Sequence, residues 1–275
     1  MPVPRSPRRV SSRQNAVVSR IRDLVRDGSG SAAVLEGVSL IREAARALWP
    51  VELIAVTERA AEDLDVRALM NDLPAEVDRV IATGPVMAAM SPARTASGCL
   101  AVTGIRGTSL EDAFATAPQL IVCAVNVQDP GNLGAIIRVA EAAGATGVLA
   151  CGTSADPFGW KALRGSMGSA FRLPVVPRML TAAALGAARA AGCRLVAATL
   201  TGEPPDQVSF TGPTALFMGA EGQGLPDEVL TACQARTAVP MTPPVESLNV
   251  AVATGIILYE ARRQRIHAHA VRTVR

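Results

Sequence analysis

From Leu120 onward the chain repeats one pattern, a short continuous apolar run followed by a helical stretch. The runs are "LIVCAVNV", "TGVLACG", "RLPVV", "RLVAATL" and "ALFMGAE". A strand without polar alternation has both faces buried, and strands of this kind separated by helices form a mostly parallel sheet covered on both sides. The expected class is therefore α/β. Ligands of such sheets bind beyond the carboxyl ends of the strands. That rule selects the loops after Val127, Leu200, Gly219 and Met241.

The first half reads as a smaller α/β region. A helix is expected near Gln14 to Asp27, then a strand at "AAVLEG" and a helix at "VSLIREAARAL". A strand at "VELIAV", a helix after Thr57, a strand at "VDRVI", a short helix and a strand at "GCLAVT" follow. In the helix beginning at Val38, the residues Val38, Ile41, Ala44, Ala45 and Leu48 recur at helical spacing and define the expected core face. The stretch "GIRGTSLEDAFATAPQ" is rich in small and turn-forming residues and is read as a linker. The expected organisation is a basic arm at 1–13, a small α/β domain at 14–104, a linker at 105–119 and the larger domain at 120–275.

With 49% apolar and 19% charged residues in 275, the chain has the composition of a folded, soluble protein. Its longest apolar run, Leu248 to Tyr259, contains Asn249, Thr254 and Gly255 and falls short of the roughly 20 residues needed to span a bilayer. No apolar segment of the signal-peptide type follows the opening "MPVPRSPRRVSSRQN". Five cysteines, odd in number and set in apolar runs, read as buried thiols of a reducing, cytoplasmic compartment. His267 and His269 are the only histidines and offer no metal-ligand spacing, so metal-free chemistry is expected.

The formal charge of +3 is small but uneven. Arg5, Arg8, Arg9, Arg13, Arg20 and Arg22 occur with no acid before residue 23, and Arg262, Arg263, Arg265, Arg272 and Arg275 follow Glu260. Solvated termini would explain either group alone. Two basic ends on a nearly neutral body fit phosphate binding, so Arg5, Arg8, Arg9, Arg13 and Arg20 are candidate RNA contacts.

Three loops carry chemistry. In "NVQDPGNLGAIIRVAEAAG", Asp129, Pro130 and Gly131 form a turn, Asn132 suits the helix N-cap, and Arg138 interrupts an apolar run. Burying Arg138 would require an acidic or phosphate partner, and Glu141 is the local acid available. In "LFMGAEGQGLPDEVL" a strand enters a glycine-rich loop containing Glu221, whose G-x-x-G-x-G spacing is not the dinucleotide fingerprint. In "VPMTPPVESLNVAVATGIILYE" the prolines stop a strand and a long apolar helix opens with Glu246, Ser247 and Asn249. A cap explains one of Ser247 and Asn249, but not both.

In order and spacing, these segments resemble the three motifs of the SpoU (TrmH-like) ribose 2'-O-methyltransferases, over about Leu120 to Arg265. The N-terminal half, through "VLEGVSLIREA" and "GCLAVT", is more loosely similar to the L30e-like RNA-binding domain that accompanies this catalytic domain in ribosomal-RNA members. The resemblance implies a trefoil-knotted α/β sheet, S-adenosylmethionine held in the knot, and a homodimer. It implies that Thr199, Leu200, Gly219, Val239, Met241 and Leu248 cradle the cofactor and that Asn132, Arg138, Glu221, Ser247 and Asn249 form the catalytic site. It further implies that the final helix is wrapped by protein while its polar start faces cofactor and substrate.

The implied reaction is methylation of a ribose 2'-hydroxyl, most naturally in 23S ribosomal RNA, with transfer RNA or a catalytically idle RNA-binding role as alternatives. A guanidinium stays protonated, so Arg138 is assigned to orienting ribose and phosphate. Ala220 and the two prolines of "TPPVES" depart from the family pattern around the cofactor loops.

Overall fold

The computed structural model describes residues 6–28 and 30–273. The chain forms two compact units, one of Met1–Arg106 with Phe158–Phe171 and one of Gly107–Pro157 with Arg172–Arg275.

In the first unit the order is β1 (Arg8–Val10), α1 (Ala16–Asp27), β2 (Ala32–Glu36), α2 (Val38–Arg46), β3 (Val51–Thr57), α3 (Glu58–Ala61), α4 (Leu64–Asp72), β4 (Asp78–Ala82), α5 (Gly84–Met90) and β5 (Cys99–Gly104). The sheet runs β1-β4-β3-β5-β2, with β5 antiparallel to both neighbours and the remaining pairs parallel. Its core gathers Val18, Ile21, Val34, Ala55, Val80, Met87 and Leu100. The boundary expected at residue 13 moves, because Arg8, Arg9 and Val10 pair with Val80, Ile81 and Ala82 as an edge strand. On α2 the buried residues are Leu40, Ile41 and Ala44. Leu48 lies beyond the helix end at a φ of 59° and is 78% exposed, so it leaves the expected face.

The first unit also contains helix α8 (Trp160–Ser166) and the 3₁₀ turn Ser169–Phe171. The Trp49 indole Nε1 donates to Phe171 O at 3.1 Å, and its ring meets Phe171 edge-on with centroids 4.9 Å apart. Such pairs contribute about 1 kcal/mol beyond buried area.

The second unit holds α6 (Leu110–Phe114), β6 (Leu120–Val125), α7 (Pro130–Ala143), β7 (Gly147–Cys151), β8 (Val175–Met179), α9 (Thr181–Ala190), β9 (Arg194–Glu203), β10 (Thr214–Gly219), α10 (Asp227–Ala232), β11 (Ala235–Thr237) and α11 (Val250–Thr273). All pairs in its sheet, ordered β11-β9-β10-β6-β7-β8, are parallel. The predicted linker carries structure: α6 has a Ser109–Asp112 capping box, and its Ala113 is fully buried in this unit's core. The strand expected over "ARTAVPM" stops at Thr237, and residues 238–241 are irregular.

From β6 the chain moves outward through β7 and β8, then returns to lay β10 against the other side of β6. The carboxyl ends of β6 and β10 thus flank a topological switch point, where crevices form in open parallel sheets. The long helix α11 packs along α7, where a Cβ on Gly255 would come within 3.8 Å of the Val139 side chain. Its far end is held by Arg265, whose guanidinium donates to the carbonyls of Phe210, Pro118, Gln119 and Gly212 at 2.7–2.9 Å. In the single chain, α11 leaves Val252, Ile256 and Tyr259 exposed along one stripe.

Candidate active site

Asp129, rather than Asn132, caps α7. Its Oδ1 accepts from Asn132 N at 2.8 Å, and Pro130 occupies the first turn, where its missing N–H costs nothing. The Asn132 side chain is thereby free to leave the helix. Its Nδ2 donates to Glu221 Oε1 at 2.9 Å.

Asn249 answers the question raised by the polar start of α11. Its Oδ1 caps the helix by accepting from Ala251 N at 3.0 Å and Val252 N at 3.3 Å. Its Nδ2 donates at 2.9 Å both to Asn132 Oδ1 and to Glu221 Oε1. One side chain therefore starts the helix and joins three motifs that are distant in sequence. Val250 N adds a longer bond to the same Glu221 oxygen, at 3.4 Å. Hydrogen bonds to a carboxylate are worth about 1.5–3 kcal/mol each, enough to fix this triangle of side chains.

Two cavities share the wall that contains Ala220, Glu221, Gln223 and Val250. The larger, about 490 Å³, is mostly apolar, with Met218, Leu225, Met241 and Ile257 among its walls. All six residues expected to cradle a cofactor, Thr199, Leu200, Gly219, Val239, Met241 and Leu248, line it. Thr199 and Leu200 belong to β9 itself, which runs on to Glu203, instead of to a loop after it. A Cβ on Gly219 would collide with the Gly224 backbone, so only glycine lets the loop fold back beside this cavity. Ser247 and Glu246 line the same cavity, and Ser247 takes no part in the triangle.

The smaller cavity, about 220 Å³, is lined by Asn126, Val127, Gln128, Asp129 and Asn132 together with the shared wall. Asn126 has a φ of 58°, a left-handed conformation that asparagine tolerates. Its Oδ1 accepts from Thr153 N at 2.9 Å and Thr153 Oγ1 at 3.2 Å, tying the loop after β6 to the loop after β7.

Arg138 lines neither cavity. It is exposed on α7, and it makes no hydrogen bond or ion pair among the described residues. Glu141, its expected partner, is instead held by Arg172 at 2.7 Å. The N-terminal arginines are largely engaged: Arg8 with Asp78, Arg9 with Glu58, Arg20 with Glu52, and Arg13 with the Pro85 carbonyl. Arg5 lies outside the described residues. Of the tail arginines, Arg263 pairs with Glu260, and Arg265 makes the carbonyl bonds above.

Residues 119–259 match the model of the SpoU rRNA methylase family. The chain belongs to the SpoU family. It is 36% identical over 194 residues to an uncharacterised tRNA/rRNA methyltransferase of Synechocystis sp., covering 69% of each chain. It is also 32% identical over 230 residues to the Bacillus subtilis 23S rRNA (guanosine(2553)-2'-O)-methyltransferase RlmP, covering 83% of this chain and 88% of that one. Among solved structures, the SpoU methyltransferase AviRb of Streptomyces viridochromogenes in complex with AdoMet superposes with a TM-score of 0.80 at 30% identity, over 92% of this chain and 100% of that one.

SpoU proteins are RNA methyltransferases that use S-adenosylmethionine, and the larger cavity of this chain fits that cofactor. Its apolar walls suit a purine and a thioether-like carbon chain, while the Glu221 and Glu246 carboxylates in its lining suit ammonium, hydroxyl and sulfonium groups. Among the described residues no cluster of three metal-ligating side chains occurs, and no helix is long and apolar enough to cross a membrane.

Sequence reasoning missed Asn126, Gln128, Asp129 and Gln223 as cavity residues. A signal for Asn126 exists in its place at the end of an apolar strand, three residues before the Asp-Pro-Gly turn.

Proposed function

We propose that the chain transfers a methyl group from S-adenosylmethionine to a ribose 2'-hydroxyl of structured RNA, specifically of 23S ribosomal RNA. The observation that carries this reading is the Asn132–Glu221–Asn249 triangle in the wall between a mostly apolar cavity and a polar one. Bound in the larger cavity, the cofactor supplies an electrophilic methyl on a sulfonium whose leaving group is a neutral thioether. Thr199, Leu200, Gly219, Val239, Met241 and Leu248 hold it, and Ser247 contributes a hydroxyl at its edge. Asn132 and Asn249 lock the Glu221 carboxylate in one orientation, which prepays the positioning entropy of an acceptor brought beside it. Arg138, exposed and free of acidic partners, orients an RNA phosphate.

The choice of ribosomal RNA is supported by the named activity of the Bacillus relative, and the reading takes the N-terminal α/β unit as an L30e-like RNA-binding domain. In that unit Arg9 and Arg13 are exposed and can exchange their present partners for phosphate. The reading includes a cytoplasmic location and a trefoil knot in the C-terminal segment. The insertion of β10 between β9 and β6 supports the knot. It also includes a homodimer, for which the support is the apolar stripe of Val252, Ile256 and Tyr259 on α11.

The test is incorporation of labelled methyl from S-adenosylmethionine into deproteinised 23S ribosomal RNA and, separately, transfer RNA, by wild type and Arg138→Ala. Label in ribosomal RNA that is lost in the variant supports the reading. Label in transfer RNA alone reassigns the substrate. Cofactor binding without label in either RNA, or in partly assembled ribosomal subunits, identifies an idle binding protein.

A further inference from the structure

Between Asp156 and Glu203 the sequence contains no acidic residue, and the first cations in that stretch are Lys161 and Arg164. Both belong to α8, whose inward face is set by the buried Ala162, Leu163 and Ser166. Trp160, Arg164 and Met167, at spacings of four and three residues, therefore share the outward face, with Lys161 beside them. Lys161 and Arg164 are exposed, and neither side chain makes a hydrogen bond or ion pair among the described residues. Asp156, the nearest acid in sequence, is held by Arg178.

The aromatic component is equally specific. Trp49, Phe158 and Phe171, the other aromatic residues of the first unit, are buried, whereas Trp160 is half-buried and carries the Lys161 Nζ 5.6 Å from its ring centroid. Met167 ends the helix at a φ of 49°, where glycine is the usual occupant, and keeps a 54% exposed side chain there. A half-open indole flanked by unpaired cations, with no carboxylate among them, has the composition of surfaces that hold single-stranded nucleic acid. Bases stack on the ring, and phosphates pair with the cations.

We propose that the outward face of α8 is an RNA contact, in which Trp160 stacks on one unpaired base while Lys161 and Arg164 pair with adjoining phosphates. The proposal rests on the RNA-modifying reading above and adds to it a surface that lines neither cavity. The platform is held in place before RNA arrives: α8 packs against β2, and the segment after it is tied by the Trp49 indole to the Phe171 carbonyl. Little ordering of protein is then needed on binding. Arg8, Arg9 and Arg20 each hold a carboxylate that a phosphate would have to displace. Lys161 needs only to leave the Trp160 ring, an exchange that opens the ring face to a base.

Lys161 is the chain's only lysine, and Trp160 shares the chain with one other tryptophan, the buried Trp49, so each contact can be followed singly. Acetylation of Lys161, read by mass spectrometry of its peptide, and tryptophan fluorescence are measured with and without deproteinised 23S ribosomal RNA. Filter binding across salt concentrations compares wild type, Trp160→Ala, Trp160→Phe and the double variant Lys161→Ala, Arg164→Ala. The expected result is several-fold protection of Lys161 and an RNA-dependent quench that disappears in Trp160→Phe. Trp160→Ala should weaken binding about 10-fold, with most of the loss recovered in Trp160→Phe. The double variant should lower the slope of log K against log salt by about 1.4, at about 0.7 for each single-strand phosphate. S-adenosylhomocysteine binding and the single-turnover methylation rate at saturating RNA should stay unchanged, because the contact serves binding alone.

Equal acetylation of free and RNA-bound protein, or variants that bind RNA like wild type, overturns the proposal and leaves the methylation reading intact. Protection of Lys161 by isolated ribosomal proteins but not by RNA overturns it in favour of protein docking. Protection by RNA in a wild type that transfers no methyl supports the contact and removes the enzyme reading. A wild type that binds no RNA overturns both.

Discussion

The two units differ in where they leave polar side chains unpaired. In the first, several arginines are consumed by the fold. Arg79 is 5% exposed and donates to the carbonyls of Met70, Leu73, Pro74, Ala75 and Val77, while Arg8, Arg9 and Arg20 each hold a carboxylate. In the second, Arg265 is likewise held by carbonyls, but hydrogen-bonding capacity is left open at the carboxyl edge of β6 and β10, where Glu221 Oε2 and Ser247 have no partner among the described residues. Glu36 Oε2 is the exception in the first unit, a buried oxygen without a partner beside a well-bonded Oε1. The contrast locates function by unfilled valence: a fold satisfies what it buries, and a site keeps groups in reserve for a ligand.

The sharpest way to break this contrast is at Arg79. Replacement by Met leaves several carbonyls unpaired in the first unit and is expected to destabilise it by about 3 kcal/mol or more in urea unfolding, with S-adenosylmethionine binding intact. Loss of cofactor binding with stability unchanged would reverse the assignment. Next in size is Asn249→Ala, which removes the pivot of the triangle. Methyl transfer is expected to fall about 10²-fold through misplacement of Glu221, while the lost cap costs only about 1 kcal/mol in the melting curve.

Smaller effects follow from titration. Burial, and secondarily the Glu36 charge, pushes the Cys99 thiol from the ordinary 9.0 up to about 12. A raised acid contributes stability that is fully present below pH 9 and is lost as the pH climbs toward 12. Urea midpoints measured between these limits should fall more steeply for wild type than for Cys99→Ala. Parallel curves would deny the thiol its role. The smallest effect concerns Asp112, whose carboxyl is held below its usual range by the backbone and then the side chain of Ser109. Here stability is present above the ordinary carboxylate pKa and lost on acidification through the lowered one. Ser109→Ala should flatten that acid-side loss slightly, as read by unfolding of the second unit.

Much of the fold was legible because continuous apolar runs admit few alternatives to buried strands, and "LIVCAV" and "ALFMG" became β6 and β10 with their carboxyl ends at the site. Three features were hidden for physical reasons. β1 is short and two-thirds arginine, so its strand character comes from β4 and not from its own residues. The segment 158–171 joins the first unit through Trp49, Phe158 and Phe171, contacts that no local pattern announces. Asn132 looked like a cap because Asp129 and Asn132 are both good caps. Geometry gave the cap to Asp129, which freed Asn132 for Glu221. The members of the triangle were readable by motif, but not the separation of Arg138 from them, which depends on where helix α7 turns its face.

The most direct test of the account is the chemical identity of the product. Unmodified 23S ribosomal RNA, incubated with the chain and S-adenosylmethionine and digested to nucleosides, is analysed by mass spectrometry. The account predicts one nucleoside carrying the added methyl on its ribose and none on its base. A base-methylated product, or unmodified RNA despite bound cofactor, would contradict it.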